Sequence, residues 1–435
     1  MRTSPEVPPP VQLKQDPGTT VQIRKYRLIT PLFGGGVEPG KPDEEQPVSG
    51  KAVRGHLRFW WRATQGGLYP SVADLKRAED ECWGATNKPS PVDVLLVSFE
   101  SETRKHAFKG RWRRNQRGQP AWQVQSDDAV APGYAAFPLR PKEDESRKPD
   151  ASVSGRETPW VDYGPVLQGV TFTLKLRYPD GLQDEVEAAL WAWETFGGVG
   201  ARTRRGFGAL RLVEVDDAKQ VIADARAHVL AGLGRHVVGG TWPDGIPHLS
   251  RSMQFKITGL PWQALIKKLQ DFRQDRNPGA AHNAPGRSRW PEPDAIRRIS
   301  GRWSHKRGHN PVHPVVNKFP RAVFGLPIIF HFKDGLKGPG DPADGDPYDT
   351  TLQGVERDRL ASPLILRPLH HAGGTVGLAA ILELQGPRTP PGGLILKDAS
   401  GNPPVQSDLT PVEAGHIAPL GGRSDVLQAF LNSLP

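Results

Sequence analysis

Between Thr20 and Val215 the apolar residues switch between the two-residue repeat of strands and the three-to-four-residue repeat of helices. The order of those switches constrains the fold more than any other feature. TVQIRKYRLITPLF, Thr20 to Phe33, alternates and predicts a strand. SGKAVRGHLRFWWRAT, with Ser49 as N-cap, predicts a helix, and VADLKRAEDECWG a second one. VDVLLVSFES and GVTFTLKLRYP (Gly169 to Pro179) predict strands. LQDEVEAALWAWETFGG is an amphipathic helix stopped by Gly197 and Gly198, and GALRLVEV (Gly208 to Val215) is a further strand. Strand, helices, strand, strand, helix, strand is the split β-α-β order of ferredoxin-like folds.

After HVVGGTWPDGIPHLS the pattern begins again. SMQFKITGL predicts a strand and PWQALIKKLQDFRQ a helix opened by Pro261. RAVFGLPIIFHF, RLASPLILRPL and GTVGLAAILELQG predict strands, and SDVLQAFLNSLP a terminal helix. The expected fold class is therefore α+β: two tandem ferredoxin-like domains with long loop insertions, 1–239 and 240–435, meeting near Gly239 and Gly240. With 48 Gly and 44 Pro, long loops are expected between the elements. Residues 104–118 read as an Arg-dense insertion around Trp112, and 140–159 as a charged, mobile surface loop. Residues 277–314 are polar and Arg-rich, and a Gly/Pro/Asp loop lies between Phe332 and Leu360.

Lys and Arg number 57 against 47 Asp and Glu, a net charge of +10, which favours a polyanionic partner, most simply nucleic acid. Cys82 stands alone, excluding an internal disulfide and a multi-Cys zinc site. MRTSPEVPPP lacks the apolar stretch of a signal peptide and no run reaches membrane-span length, so a cytoplasmic location is expected.

On a helical wheel Val53, Leu57, Trp60 and Thr64 share one sector, the expected buried face. Lys51, Arg54, Arg58 and Arg62 share the neighbouring sector; Trp61 sits on the border and Phe59 points elsewhere. A basic stripe flanked by aromatics suits phosphates and base stacking, though a solvated Arg face and a protein interface for Phe59 are the plainer alternatives. FGGVGARTRRGFGAL, Phe196 to Leu210, brings Gly200 together with Arg202, Arg204 and Arg205. Glycines allow close approach, free N–H groups can cradle an anion, and arginines add phosphate geometry; the bland alternative is a helix cap with a basic turn.

Other signals are weaker. Gly35, Gly40 and Lys41 imitate the start of a P-loop, but Pro42 stands where Ser or Thr is required. His305, His309 and His313 have helical metal-ligand spacing, but Gly308, Pro311 and Pro314 oppose a helix. Glu38, Asp43, Glu44 and Glu45 form an acidic loop that would suit a divalent metal in phosphodiester cleavage, or simply water.

Taken together, YRLITPLFGGG, SGKAVRGHLRFWWR and GGVGARTRRGFGAL resemble the RAMP superfamily of CRISPR-associated RNA-binding proteins. Within it they resemble the first-subunit family of the Cmr-type (type III-B) effector complex. RSRWPEPDAIRR, FPRAVFGLPIIFHF and RLASPLILRPL carry the resemblance into the second half. It implies RRM-related domains and a non-catalytic subunit without cofactor or metal. That subunit would contact crRNA near its 3′ end and the paired target RNA, beside other RAMP subunits. In the related backbone subunit an Asp after the first strand cleaves target RNA. Asp43 is the counterpart here, in surroundings (GKPDEEQ) unlike that loop, so a metal-dependent endoribonuclease is one alternative and a protein-only assembly subunit the other. RGFGAL begins like the RRM stacking signature but lacks its second aromatic, which directs attention to helix and loop instead of sheet-face stacking. The expected RNA contacts are Lys51, Arg54, Arg58, Phe59, Trp61, Arg62, Gly200, Arg202, Arg204, Arg205, Arg287, Arg289 and Trp290.

Overall fold

The computed structural model describes residues 17–38, 40–115, 118–149, 157–279, 286–332, 344–397 and 401–435. In the first half β1 (Thr19–Leu28), α1 (Gly50–Gln65), α2 (Val72–Trp83) and β2 (Asp93–Glu100) are followed by β3 (Thr103–Arg114), β4 (Pro120–Ser126) and β5 (Val161–Gln168). Then come β6 (Thr171–Pro179), α3 (Gln183–Phe196), β7 (Leu210–Val215), β8 (Ala218–Lys219) and α4 (Ala225–His236). The principal sheet has the order β2-β6-β1-β7-β8, every neighbour antiparallel.

Tyr26 and Leu28 of β1 and Phe172, Leu174 and Leu176 of β6 turn to one side, where Val53, Leu57 and Trp60 of α1 and Leu190 and Trp193 of α3 cover them. Tyr26 stacks on Phe172 at 5.1 Å and meets Trp193 edge-on at 5.3 Å. Arg24, 5% exposed, sits in this layer and bonds Glu187 at 2.7 Å and Glu194 at 3.0 Å. Burial pulls its pKa down, but Glu194, Tyr26 and Glu187 outweigh burial and hold it above the ordinary arginine value.

β1 ends at Leu28 and not at Phe33. Pro31 has no N–H to extend a ladder, and Leu32 instead pairs across to Leu167, whose N–H and C=O it engages at 3.1 and 2.8 Å. The Arg-dense insertion is a second sheet, β4-β3-β5. Phe108, Gly110 and Trp112 of β3 point inward at the two-residue repeat, and of the residues alternating with them Lys109 and Arg113 are exposed and Arg111 half-buried. The expected mobile loop is partly pinned: Tyr163 and the Trp112 indole both donate to Asp144, at 2.8 Å each, to its side chain and carbonyl respectively. Residues 150–156 of that stretch lie outside the described residues.

The second half runs β9 (Phe255–Thr258), α5 (Trp262–Arg273), α6 (Glu292–Ser300), β10 (Ile328–Phe330), β11 (Thr350–Gly354), β12 (Leu364–His371), β13 (Gly374–Ile381), β14 (Leu394–Lys397), β15 (Pro404–Val405), α7 (Pro411–Gly415) and α8 (Val426–Ser433). Its sheets have the orders β12-β13-β9 and β10-β11-β14-β15, again antiparallel. The long strand expected over Arg321–Phe332 shrinks to β10, because Pro320–Phe324 coils into a 3-10 turn and Pro327 cannot donate. The polar stretch 277–314 contains α6, and the loop after Phe332 contains β11, with residues 333–343 outside the described residues.

The halves are not separate cores. One apolar cluster joins Tyr26, Trp60 and Trp193 to Leu249, Ile365 and Leu378, and another joins Phe33, Phe108 and Phe207 to Trp262, Leu366 and Phe430. The connecting stretch is laced to the end of α1: Leu249 N–H donates to Ala63 at 2.9 Å and the Trp242 indole to Arg62 carbonyl at 3.0 Å. Among the described residues no helix is long and apolar enough to cross a membrane.

Candidate nucleic-acid interface

Ser49 caps α1 by accepting the Ala52 N–H at 3.2 Å, and Val53, Leu57, Trp60 and Thr64 are buried, as the wheel requires. The neighbouring stripe does not face solvent as a row. Arg58 donates to Glu79 at 2.7 Å, Asp80 at 3.3 Å and the Gly84 carbonyl at 3.1 Å, and Arg62 also grips Glu79. Glu79, 3% exposed, and Asp80 lie on α2, so the second helix neutralises the first. The expectation that Arg58 and Arg62 are open phosphate ligands is corrected by this pairing. Lys51 stays exposed and Arg54 half-buried, neither in an ion pair among the described residues.

Trp61 is 1% exposed and its indole donates to Glu185 of α3 at 3.2 Å, so it cannot stack on a base. Phe59 packs edge-on against Trp60 at 5.0 Å, and the Arg204 guanidinium lies 5.4 Å over its ring. A cation–π contact occupies the face that a base would need.

The glycine-rich turn is also internal. The N–H groups of Val199, Ala201, Arg205, Gly206 and Gly208 go to protein carbonyls, so an open anion cradle does not form from them. Gly200 has φ +81, and a Cβ there would lie 2.6 Å from the Phe33 carbonyl oxygen; glycine lets the turn close onto the β1–α1 loop. Arg204 donates to Ser362, and Arg205 to Leu364 at 2.7 Å and Phe324 at 3.4 Å, all carbonyls of the second half. Burial, then Arg273 and Arg202 nearby, pull the Arg205 pKa down to about 9. These arginines fasten the halves together and do not wait for phosphates. Arg202, at φ +60, is the exposed member.

In the second half Arg287 is held by Asp294 at 3.0 Å and by the Asn310 carbonyl at 2.6 Å. Arg289 reaches Asn277 at 3.0 Å and Asp275 at 3.5 Å. Trp290 is 1% exposed and donates to the Phe272 carbonyl at 2.8 Å; it belongs to the core and not to a stacking surface. Asp43 accepts the N–H of Glu45 at 3.0 Å and Gln46 at 2.9 Å, tying its carboxylate to its own turn. His309 bonds Asp346 at 2.7 Å while His313 accepts the Val315 N–H at 3.1 Å, so the histidines diverge. Among the described residues no group of His, Cys, Asp or Glu is placed to hold a metal ion.

A basic surface appears where the sequence reading did not look. The side of the principal sheet away from α1 and α3 carries Lys25 and Arg27 of β1, Lys175 and Arg177 of β6 and Arg211 of β7. Register aligns Arg27 with Arg211, and Ile23 with Lys175. Glu102 pairs with Arg27 at 3.1 Å, Glu214 stands opposite Lys25, and Asp93 and Glu100 of β2 stand opposite Arg177 and Thr171, so carboxylates offset most of these cations, and Lys175 and Arg211 are the two with no carboxylate opposite them in register. Among the described residues this face has no aromatic side chain; Tyr26 and Phe172 turn inward. The signal was present in QIRKYRL and TFTLKLRYP, where the positions alternating with the core residues are, Ile23 apart, Lys, Arg or Thr.

A family model described as the RAMP superfamily matches residues 25–211, from within β1 to the start of β7. Pyrococcus furiosus "CRISPR system Cmr subunit Cmr1-2" is 27% identical over 192 residues, 44% of this chain and 94% of the relative. "CRISPR system Cmr subunit Cmr1-1" of the same organism is 23% identical over 326 residues, 74% of this chain and 76% of the relative. Among solved structures, apo Cmr1 from Pyrococcus furiosus matches with TM-score 0.43 and 17% identity, over 84% of this chain and 89% of that one. A chain of the type III-B Cmr-beta complex bound to cognate target RNA matches with TM-score 0.46 and 11% identity, over 94% and 99%.

Proposed function

We propose that this chain, a RAMP-superfamily protein, is a non-catalytic RNA-binding subunit of a type III-B CRISPR ribonucleoprotein effector. It contacts crRNA near the 3′ end and the target RNA paired to it, and it assembles with other RAMP subunits. The observation that carries RNA binding is the open sheet face, where Lys175 and Arg211 have no carboxylate opposite them in register. A face with cations and no aromatics suits the sugar-phosphate backbone and not base stacking. Of the expected set, Lys51 and Arg54, neither of them in an ion pair among the described residues, lie on α1 on the covered side of the sheet, and Arg202 is exposed in the glycine-rich turn.

The order β2-β6-β1-β7, with crossovers through α1, α2 and α3, supports reading residues 1–239 as a ferredoxin-like, RRM-related domain. For residues 240–435, β9, α5, β12, β13 and α8 with sheet order β12-β13-β9 support the same plan without its last strand.

The test is binding of the full chain to end-labelled single-stranded RNA across a salt series, with magnesium and with EDTA. Lys25→Glu with Lys175→Glu is expected to weaken binding and flatten the salt slope by about 0.7 per lost phosphate contact. An unchanged slope refutes the sheet-face assignment. Cleavage that EDTA abolishes would instead favour the endoribonuclease reading and Asp43. RNA affinity absent even in the assembled complex would favour the protein-only role.

A further inference from the structure

Three segments meet at the seam between the halves: the glycine-rich turn at Arg202, the turn after β4 that holds Tyr134, and the end of α5 at Arg273. Ala201 and Tyr134 both pack against the apolar cluster that contains Phe272, the neighbour of Arg273. Ala201 N–H donates to the Phe33 carbonyl at 2.7 Å and Arg205 N–H to the Arg202 carbonyl at 2.8 Å, which fixes the backbone on both sides of Arg202. The N–H groups of Ala135 and Ala136 close the Tyr134 turn on the Pro132 carbonyl, both at 2.9 Å. Arg273 joins the segments: its Nη1 donates to the Tyr134 hydroxyl at 2.8 Å, and its guanidinium lies 5.4 Å over Phe324. Since the hydroxyl oxygen accepts from Arg273, its own hydrogen is left to donate.

Two features of Arg202 are not explained by the fold. Its backbone is left-handed, at φ 60 and ψ 26, which glycine or asparagine would hold at lower cost. Its side chain is exposed and has neither a hydrogen bond nor an ion pair among the described residues. Such strain collects where a side chain is aimed at a ligand. The surrounding charge sets the sign of that ligand. Desolvation at the seam pulls the Arg202 pKa down first; Tyr134 opposes this and Arg273 adds to it. Glu292 is the carboxylate that acts on Arg273, and it is wholly buried and paired with Arg321 at 3.0 Å. Asp275, next along the chain, is engaged by Arg289 at 3.5 Å. Arg276, exposed and without an ion pair among the described residues, adds a further cation.

We infer that Arg202 and the Tyr134 hydroxyl form a phosphate-binding site at this seam, with Arg273 behind them as the positioning residue. The planar fork of Arg202 takes two phosphate oxygens and the hydroxyl a third. Arg273, half-buried, holds Tyr134 in place and supplies charge without touching the ligand. The phosphate belongs either to an RNA strand or to a free nucleotide. The site lies on the glycine-rich turn and not on the open sheet face, so each assignment can fail without the other.

The test is calorimetric titration of the full chain at constant ionic strength. The probes are pyrophosphate, adenosine monophosphate and a single-stranded RNA without terminal phosphates. Saturable binding is expected, about tenfold weaker in Arg202→Gln and less affected in Tyr134→Phe, which keeps the ring. RNA binding that weakens in Arg202→Gln assigns the phosphate to a strand. Pyrophosphate or nucleotide binding that weakens while RNA binding does not assigns it to a free ligand. No binding of any probe, or equal binding in wild type and Arg202→Gln, overturns the inference. Arg202→Gly separates a ligand role from a structural one, because glycine relieves the left-handed backbone. Its melting temperature is expected to match or exceed that of wild type while binding is lost. A lower melting temperature would show that Arg202 serves the fold, and the site would fall with it.

Discussion

Arg205 donates to the carbonyl oxygen of Leu364 at 2.7 Å, from the glycine-rich turn of the first half to β12 of the second. Arg367, wholly buried, answers in the other direction, donating to Glu194 at 2.9 Å, Gly197 at 2.7 Å and Leu210 at 2.8 Å. Burial pulls both pKa values down to about 9, and each remains a cation at neutral pH because carbonyl dipoles surround it. Such an arginine is specified by geometry: its planar fork reaches several carbonyls at once, which lysine cannot.

Arg367→Leu is therefore expected to destabilise the protein by about 3–5 kcal/mol, since it leaves buried carbonyls unpaired at the end of α3 and on β7. Urea unfolding measures it. A loss below ~1 kcal/mol would mean that water or neighbouring N–H groups replace the guanidinium.

Arg58 and Arg62 converge on Glu79, whose side chain is 4% exposed. Removing both arginines strands a buried carboxylate, which costs several kcal/mol in a dry site and less here, because the arginines are partly exposed. Arg58→Ala with Arg62→Ala is expected to lose about 1–3 kcal/mol. Adding Glu79→Gln to the pair of substitutions should restore part of the loss. A thermal denaturation cycle across the variants checks the sign: no recovery in the triple variant would show that Glu79 is solvated when alone.

His56, His228, His236 and His248 each have a pKa below the ordinary 6.5, first because burial disfavours the imidazolium. His248 lies flat on Trp242 at 4.4 Å and His236 on Trp191 at 5.3 Å. A base with a depressed folded pKa contributes stability above its unfolded pKa and loses it as pH falls through the folded value. Melting temperature is thus expected to hold from pH 8 to pH 7 and to fall from about pH 6.5 downward. Asp294 adds its loss only in more acid solution: burial raises its pKa, but the His313 and Val312 amides and Arg287 outweigh that and keep it below 3.8. His56→Gln should flatten part of the decline between pH 6.5 and 5; a profile parallel to wild type would remove His56 from the account.

α1, α3, β1, β6 and β7 were legible in the sequence because each displays its own apolar repeat, and Ser49 marks the start of α1. Their order in the chain carried the order of the principal sheet. The partners of the arginines were not legible. Arg58 meets Glu79 from the next helix, and Arg205 meets Leu364 from 159 residues further along the chain, so nothing in the local spacing distinguishes a paired arginine from a free one. Trp61 sits on the wheel border, where only the position of α3 decides that it is covered. β3 was hidden by its composition: Lys109, Arg111 and Arg113 drew attention from the inward row Phe108, Gly110 and Trp112. The basic sheet face went unread because reading the strands for their core residues passes over the alternate positions.

Glycines in and outside the turn make opposite predictions from the same substitution. Gly208 has φ +57, and a Cβ there would lie 2.0 Å from the Val199 carbonyl oxygen, the turn's own backbone. Gly208→Ala must break that approach and carries the strain of a left-handed conformation as well, so a loss above ~2 kcal/mol is expected. Gly234 lies within α4 with ordinary helical backbone and open space around its would-be Cβ. Gly234→Ala removes unfolded-chain entropy at no steric cost and should stabilise by about 0.5–1 kcal/mol. Chemical denaturation of both variants beside wild type reads the two signs in one experiment. If Gly208→Ala were neutral, the turn would have another way to close, and the joint fastened by Arg204 and Arg205 would not depend on it.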